Sequence, residues 1–543
     1  MSSFFTLPGS AKRKRADAAG NKSKKVRPTD AAAGGSEKRP QKRRNEDDEI
    51  SSESEDENAK PRGSDDEDED EELAGETAAE KRLRLAQQYL NNIREEVDEG
   101  GFDAADIDRD LIAERLKEDV AEEKGRLYRH IADDFSFSTA VSSLFRMDAG
   151  PTTGIAVSDP YIYTVTRHRY LVKWELPAYP PPPATSNNTP RTRPKRVQYV
   201  RGGRKKDEGF EGHTDDILCV AASADGKFVA TGGKDHKLIV WDAETLKILK
   251  VFRQHRAGVT GLVFRRGTNE LYSSSSDRTV KLWSLNELAY VETLFGHQDE
   301  VLSIAALAGE RCVSVGARDR TARLWKIVDE TQLVFRGGGS GEGKVRKNKD
   351  GSIRHEEGSM DCVAMLDEEH FVTGSDNGNI SLWSIHKKKP IHTIQVSHGL
   401  APPLLPEKSS AETNPVQEPA APAQPRWVTA LTAIPYSNLI FSGSWDGSVR
   451  AWKVTADKRK LEAVGVIGGE GTVRGIVNGI AVLERGTTKK DAKVVVCVAT
   501  GKEMRLGRWM EVEGRSGGYV LDVMKKSSGT GGADEDMEEG GDA

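Results

Sequence analysis

Two groups of side chains in this sequence have the residue types of a catalytic triad, and a third has the histidine and the aspartate. A histidine, a hydroxyl residue and an aspartate in contact could activate the hydroxyl as a nucleophile, with the histidine as general base. The same grouping recurs at a fixed interval, whereas an active site would occur once, so the recurrence favours a structural role. The groups are His213 with Thr231 and Asp235, His255 with Ser273 and Asp277, and His297 with Asp319.

Each group ends in a tryptophan, and these tryptophans are 42 residues apart. The histidine stands 28 residues before the tryptophan and the aspartate six residues before it. A period near 40 with a Gly-His start and a terminal tryptophan is typical of WD repeats, each a four-stranded sheet that must stack on its neighbours. The sequence therefore predicts an all-β fold, a seven-bladed WD-repeat β-propeller. The tryptophans are Trp241, Trp283 and Trp325, and Trp174, Trp383, Trp452 and Trp509 continue the series with inserted residues.

Resemblance to WD repeats also implies what the repeated polar residues do. Asp235 would hydrogen-bond His213, which in turn would reach Thr231 and Trp241. The matching sets are His255, Asp277, Ser273 and Trp283, and His297, Asp319 and Trp325. In the last set Val315 stands where the hydroxyl residue is expected, so we expect that network to be incomplete. The other repeats depart further, with Gln424 at the histidine position of blade six and Ala499 at the hydroxyl position of blade seven.

The strand that closes the ring is left open by the sequence. It could be Tyr519 to Val523, or it could come from the N-terminal side near Leu127 to Ile131. We expect the propeller to occupy residues 131–525.

Charge segregation divides the rest of the chain. Residues 11–44 hold thirteen Lys and Arg against three acids, and residues 45–72 hold sixteen Asp and Glu against two bases. Such blocks repel themselves and lack apolar residues, so we predict disordered tails over 1–75 and 526–543. The clusters at 12–15 and 42–44 are typical of nuclear or nucleolar import signals.

A helical extension is predicted between the tail and the propeller, over 76–130. Residues 77–80 form a capping box, and apolar residues then recur at helical spacing. Two short helices cannot form a domain, so they must dock, either on the propeller or on a partner. We favour the partner, because the apolar stripe is modest and its flanks are highly charged.

Several classes of function are disfavoured. The sequence has no run of about 18 apolar residues, so we expect no membrane segment. The four cysteines lack metal-ligand spacing, which suggests buried thiols. Residues 338–344 fit most of a phosphate-binding loop, but Val345 replaces the hydroxyl that would hold magnesium. We therefore expect no cofactor, no metal, no small-molecule substrate and no enzymatic activity.

The turns that join the second and third strands of the predicted blades are basic. Such turns lie on one face of a propeller, and a positive face attracts phosphate backbones. Trp445, in the same turn of blade six, could stack on a base. The predicted RNA-binding residues are Arg167, His168, Arg169, Lys234, His236, Lys237, Arg278, Arg318, Arg320, Lys502, Arg505, Arg508 and Trp445.

Three insertions interrupt the repeat, at 178–206, 336–354 and 397–424. The first two are basic, and residues 191–206 contain no acid. The third is rich in Pro and Ala and is expected to be a flexible loop. The sequence leaves the role of all three open.

A closer resemblance is carried by five runs, and it covers roughly residues 76–525. These runs are similar to the WD-repeat protein family specific to the U3 small nucleolar ribonucleoprotein. The resemblance implies binding to U3 small nucleolar RNA at its box B/C motif, together with the kink-turn-binding protein and other box C/D core proteins. It also implies a nucleolar role in the small-subunit processome and early pre-ribosomal RNA processing. The runs are 80–90, 290–297, 332–337, 371–378 and 501–509.

The alternative is a generic nuclear WD-repeat scaffold for protein complexes. The basic turns and insertions favour the RNA particle.

Overall fold

The computed structural model describes residues 128–179, 193–204, 209–337, 358–402, 423–486, 492–507 and 511–526. These residues form seven four-stranded antiparallel sheets, which confirms the predicted seven-bladed propeller. The charged tail over 1–75 and the predicted helices over 76–124 lie outside the described residues. Within them, no helix is long and apolar enough to cross a membrane.

The strands run in chain order through the blades. The 3₁₀ helix Ala132–Asp134 and strand β1 (Phe135–Phe145) come first. Blade one is β2 (Thr152–Ser158), β3 (Tyr161–Thr166), β4 (Tyr170–Glu175) and β5 (Lys195–Arg201); blade two is β6 (Ile217–Ala222), β7 (Phe228–Gly233), β8 (Leu238–Asp242) and β9 (Ile248–Phe252). Blade three is β10 (Val259–Phe264), β11 (Glu270–Ser275), β12 (Thr279–Ser284) and β13 (Ala289–Phe295); blade four is β14 (Val301–Ala306), β15 (Arg311–Gly316), β16 (Thr321–Lys326) and β17 (Thr331–Arg336). Blade five is β18 (Met360–Met365), β19 (His370–Ser375), β20 (Ile380–Ser384) and β21 (His392–Ile394); blade six is β22 (Val428–Ala433), β23 (Leu439–Ser444), β24 (Val449–Val454) and β25 (Leu461–Val466). Blade seven contains β26 (Ile476–Arg485), β27 (Lys493–Gly501) and β28 (Gly517–Lys525).

The core of the propeller is divided into seven apolar clusters, one between each pair of neighbouring blades. The repeated tryptophans explain this division. Trp241 of blade two packs against Tyr163, Val165 and Leu171 of blade one, and Trp283 packs against blade two in the same way. Blades one to six therefore bury their tryptophans against the preceding blade, and truncating such a side chain costs about 3–5 kcal/mol.

Blade seven is completed by the N-terminal strand. Its sheet has the order β26, β27, β28 and β1, so residues 135–145 form the outermost strand. Of the two sequence-based alternatives, closure from the N-terminal side is confirmed, but the closing strand begins at Phe135, after residues 127–131, and Tyr519 to Val523 belongs to the third strand. Trp509 falls between β27 and β28, outside the described residues, and Leu521 packs against blade six. Closure joins segments almost 400 residues apart, so the repeat carried no signal for it.

A ring of seven bulges lines the central channel. Every innermost strand shifts register at one residue. Where that residue can donate, it bonds the next blade: the Thr429 hydroxyl donates to Val477 O at 2.6 Å, and Asn478 Nδ2 donates to Thr152 O at 2.9 Å. The second bond joins blade seven to blade one. The bulged residues are Thr153, Leu218, Thr260, Leu302, Asp361, Thr429 and Asn478.

Two of the predicted insertions contribute to the blades. The first contains β5, so its basic residues 195–201 form the outermost strand of blade one. The third begins with the buried His398, and its two ends pair through Leu400 and Pro425. Of the second, the residues beyond 337 and before 358 lie outside the described part of the chain.

The chain enters the propeller on the face opposite the turns predicted to bind RNA. Arg129 lies beside Ser437, in the turn between the first and second strands of blade six. The Arg129 amide donates to Tyr436 O, and Asn438 donates back to Arg129 O. Residues 128–130, the end of the predicted helical extension, are therefore extended along that opposite face.

Candidate nucleic-acid interface

The turns between the second and third strands lie on one face together with the blade-to-blade connections. We call this the turn face. In blade two the turn is fixed by Asp235, whose carboxylate accepts hydrogen bonds from the amides of Thr214 and Lys237. The carboxylate also contacts His213 Nδ1 at 3.1 Å. One aspartate thus joins a turn to the preceding connection, which makes both segments rigid.

The buried hydrogen-bond network behind the turn has the geometry of a structural network and not that of an active site. His213 Nε2 and Trp241 Nε1 each lie 2.8 Å from the Thr231 hydroxyl, and blade three repeats this geometry around Ser273. Burial alone would raise the pKa of Asp235, but hydrogen bonds from His213 and the amides outweigh it and hold the pKa below its usual value. The hydroxyl is saturated by two partners and buried, so it is not presented to any substrate.

Two expectations about these networks were wrong. Blade four is complete, because Ser314 rather than Val315 meets both His297 Nε2 at 2.8 Å and Trp325 Nε1 at 2.7 Å. The turn of blade four is one residue longer than that of blade three, which moves the hydroxyl one place earlier along the chain.

Blade six also has a complete network. Its histidine is His398, not Gln424, and His398 Nε2 lies 2.8 Å from the Ser442 hydroxyl. The Pro-rich insertion separates this histidine from its blade, so the fixed spacing could not locate it.

The complete network in blade four gives a direct stability test. We expect Ser314→Ala to lower the free energy of unfolding by about 1–3 kcal/mol, because His297 and Trp325 both lose a buried partner. Thermal or urea unfolding measures this, and RNA binding below the melting temperature should be unchanged. Ser303→Ala, at a half-buried position of β14, is the control. A stable variant that loses RNA binding would contradict the structural role.

The tips of the turns carry cations in an unusual backbone conformation. In blades one to four, the residue after the turn aspartate or its equivalent has a positive φ: 67° at Arg169, 65° at His236, 70° at Arg278 and 52° at Arg320. The matching residues of blades five and six are Gly378 and Gly447. A left-handed conformation costs a non-glycine residue about 1–2 kcal/mol. Four neighbouring blades thus keep a basic side chain where glycine is the unstrained choice.

Turns on the opposite face also contain left-handed residues, so this backbone strain alone does not indicate RNA binding. Their non-glycine left-handed positions are Leu246, Leu288, Glu330, Tyr436 and Lys458, which share no chemistry. On the turn face, by contrast, the left-handed turn positions of blades one to four are all basic.

Exposure separates the predicted RNA-binding residues into two groups. Six are exposed and available at the surface: Lys234, His236, Arg278, Arg318, Arg320 and Lys502. His168 is also exposed but lies 2.9 Å from Asp148, while Lys237 and Arg169 are half-buried and donate to backbone carbonyls. Trp445 stacks on Trp427 with the ring centroids 5.4 Å apart. Arg508 lies outside the described residues.

Two predicted RNA contacts have a different role. Arg167 is only 5% exposed and pairs with Glu503 and Asp216. Arg505 reaches across the central channel, where it donates to Thr260 O at 2.6 Å and Leu302 O at 3.0 Å. Burial lowers the pKa of Arg505. Spacing placed both residues in the turns correctly, but it could not show that their side chains point into the protein.

The turn face is less uniformly positive than the turns alone suggested. The blade-to-blade connections contribute acids, and a cavity of about 570 Å³ beside Arg505 is lined by Asp215, Asp216 and Glu300 as well as by Lys234 and His236. Free cationic charge is therefore concentrated at the turn tips rather than spread over the face.

Arg505 and its neighbour Lys502 should separate stability from RNA binding. We expect Arg505→Met to lower the free energy of unfolding by about 1–3 kcal/mol, because two strand carbonyls lose a charged donor. The exposed Lys502→Gln should leave unfolding unchanged but weaken RNA binding. Parallel melting and RNA titration of the two variants test this. The reverse pattern would show that Arg505, not Lys502, contacts RNA.

No group of three or more His, Cys, Asp or Glu residues converges on a metal-binding geometry within the described ranges. The four cysteines are buried, and burial raises their pKa. Neither metal binding nor thiol chemistry is supported by these residues.

Comparisons with known proteins confirm the WD repeats and identify more specific relatives. The model of the WD domain, G-beta repeat, matches residues 205–242, 246–284, 289–326 and 420–453. Ribosomal RNA-processing protein 9 of Saccharomyces cerevisiae is 38% identical, over 84% of this chain and 91% of that protein. The human U3 small nucleolar RNA-interacting protein 2 is 34% identical, over 81% of this chain and 80% of its own length. A solved structure described as RRP9 WD40 repeats is 30% identical, with a TM-score of 0.56, and covers 72% of this chain and 99% of that one.

Proposed function

Because the chain belongs to the WD-repeat protein family of the U3 small nucleolar ribonucleoprotein, we propose that it is a non-catalytic, RNA-binding subunit of that particle. In this role it binds U3 small nucleolar RNA at the box B/C motif beside the kink-turn-binding protein and other box C/D core proteins. It then acts in the nucleolus, in the small-subunit processome and early pre-ribosomal RNA processing.

The observation that supports RNA binding most strongly is the row of basic residues at left-handed turn positions. Basic residues kept at strained positions in four neighbouring blades point to a function that needs those side chains. His236, Arg278 and Arg320 are exposed at the tips, where phosphate groups can approach them. Lys234 and Arg318 are exposed in the same turns and add charge. Cations grouped in this way fix the register of a phosphate backbone without reading its bases.

A salt titration tests the proposal. The full chain is titrated with box B/C RNA, with and without the kink-turn-binding protein, at several salt concentrations. We expect the logarithm of the binding constant to fall linearly with the logarithm of the salt concentration, by roughly 0.7 per single-strand phosphate contact. The kink-turn-binding protein should strengthen binding. Binding independent of salt, or no preference for box B/C RNA over an unrelated hairpin, would favour the protein-scaffold alternative instead.

A further inference from the structure

The outermost strand of blade one combines positive charge with exposed aromatic surface. Lys195, Arg196 and Arg201 are exposed on β5, and residues 193–204 contain no acid. Tyr199 of the same strand is 48% exposed. This composition stands out in a chain whose net charge is −6. We call Lys195, Arg196, Tyr199 and Arg201 the rim strip.

The two arginines of the rim strip each lie over a tyrosine ring. The Arg196 guanidinium lies 5.3 Å from the centre of the Tyr199 ring, and the Arg201 guanidinium lies 5.4 Å from that of Tyr170. The two rings are 6.2 Å apart. Cation–π contacts of this kind hold each guanidinium at the surface without neutralising it. Nearly half of Tyr199 stays exposed even with these neighbours.

The rim strip is continuous with the turn face. Arg201 pairs with Tyr170 at the top of the sheet, and the Gly202 amide donates to Arg169 O at 2.8 Å. Arg169 is the left-handed residue in the turn of blade one. Beyond it, Gly202 passes so close to blade two that a Cβ atom would lie 2.3 Å from His213 O. The strip therefore starts among the basic turns and descends the outer edge for about 23 Å.

We propose that the rim strip binds a single-stranded RNA segment that leaves the turn face. Phosphates contact Lys195, Arg196 and Arg201, and a base stacks on Tyr199. This inference rests on the proposed function, since the same RNA must first be held at the turn face. An aromatic ring set between cations fits RNA better than an acidic peptide, because a peptide offers the charges but no base to stack.

Two RNAs and a small set of variants test the rim strip on the full chain. One RNA is the box B/C hairpin, and the other is the same hairpin with a single-stranded tail of about eight nucleotides. We expect the tail to raise the affinity of the unaltered protein about tenfold, and Tyr199→Leu to remove that gain. Tyr199→Phe keeps the ring and should keep the gain. Arg196→Gln with Arg201→Gln should reduce both the gain and its salt dependence.

Matched controls lie on the outermost strand of blade two. Leu249, on β9, is 41% exposed, and Lys250 is exposed beside it. Leu249→Ala and Lys250→Gln should leave the gain from the tail intact, and melting curves should show that all variants are folded. Equal affinity for the two RNAs, or equal losses in rim and control variants, would contradict RNA binding at the rim strip. Either result would leave the proposed RNA binding at the turn face unaffected. Failure of the hairpin itself to bind would instead contradict the proposed function. Displacement of the tail by a polyglutamate peptide, with Tyr199→Leu binding that peptide normally, would identify an acidic protein as the occupant and overturn RNA binding there.

Discussion

Removing residues 1–145 should abolish the cooperative unfolding of the propeller, whereas removing residues 1–127 should leave it intact. The difference is β1, which pairs with β28 along the outer edge of blade seven. Phe135, Phe137 and Phe145 of this strand are each at most 6% exposed and pack into two of the inter-blade clusters. Losing one buried phenylalanine costs about 3–5 kcal/mol, and domains are stable by only about 5–15 kcal/mol.

Single substitutions in β1 refine this test. Phe137→Ala should lower the free energy of unfolding by about 3–5 kcal/mol. Val141→Ala in the same strand should have little effect, because Val141 is 64% exposed. Differential scanning calorimetry on the two truncations and the two substitutions gives the comparison. An unchanged transition in the chain that begins at residue 146 would show that blade seven does not need its fourth strand.

Replacing His236, Arg278 and Arg320 together by glycine should weaken RNA binding strongly without destabilising the propeller. Each exposed arginine that meets a phosphate contributes about tenfold in affinity, so loss of Arg278 and Arg320 should cost on the order of a hundredfold, and loss of the His236 side chain adds to this. The salt dependence should become shallower by roughly 0.7 per lost contact. Stability should change little, because glycine relieves the left-handed strain at a comparable entropic cost.

The control for the glycine variant has the same backbone geometry on the opposite face. Glu330 is exposed with a φ of 49°, so Glu330→Gly makes an equivalent backbone change away from the turn tips. It should not weaken RNA binding. If the triple variant binds RNA like the unaltered chain, the turn tips are not the RNA contacts, and the proposed interface is wrong.

The sequence-based predictions were most accurate where the interacting residues lie close together along the chain. Blades two and three were predicted in detail, because His213, Thr231, Asp235 and Trp241 all lie within one uninterrupted repeat. The partner of Trp325 was missed by one residue, because a single inserted residue in a turn shifts the register. His398 was missed because an insertion separates it from its blade. The N-terminal closing strand was one of two alternatives, and its bounds were misplaced because its partner strand lies at the other end of the propeller sequence.

For the candidate interface, the sequence predicted which turns carry the basic residues, but it did not predict which way their side chains point. The basic residues of blades one to four do lie in the predicted turns. Whether a side chain points to solvent depends on the three-dimensional course of the connection, as Arg505 in the channel shows. The rim strip shows the same limit: its residues were recognised as basic, but without a repeat signature they were not identified as the last strand of a blade.

The way in which blade seven is assembled also constrains the synthesis of the protein. Strand β1 leaves the ribosome first, but its partner β28 ends at Lys525. At about 5–20 residues per second, some 20–75 seconds of translation separate the two strands. Until blades six and seven are made, Phe135 and Phe137 of β1 have no partner residues to cover them, and the preceding blades form an open arc with an uncovered edge at each end. Closure of the ring is therefore the last step in folding of the propeller, and a molecular chaperone that covers exposed apolar surface would act during this interval.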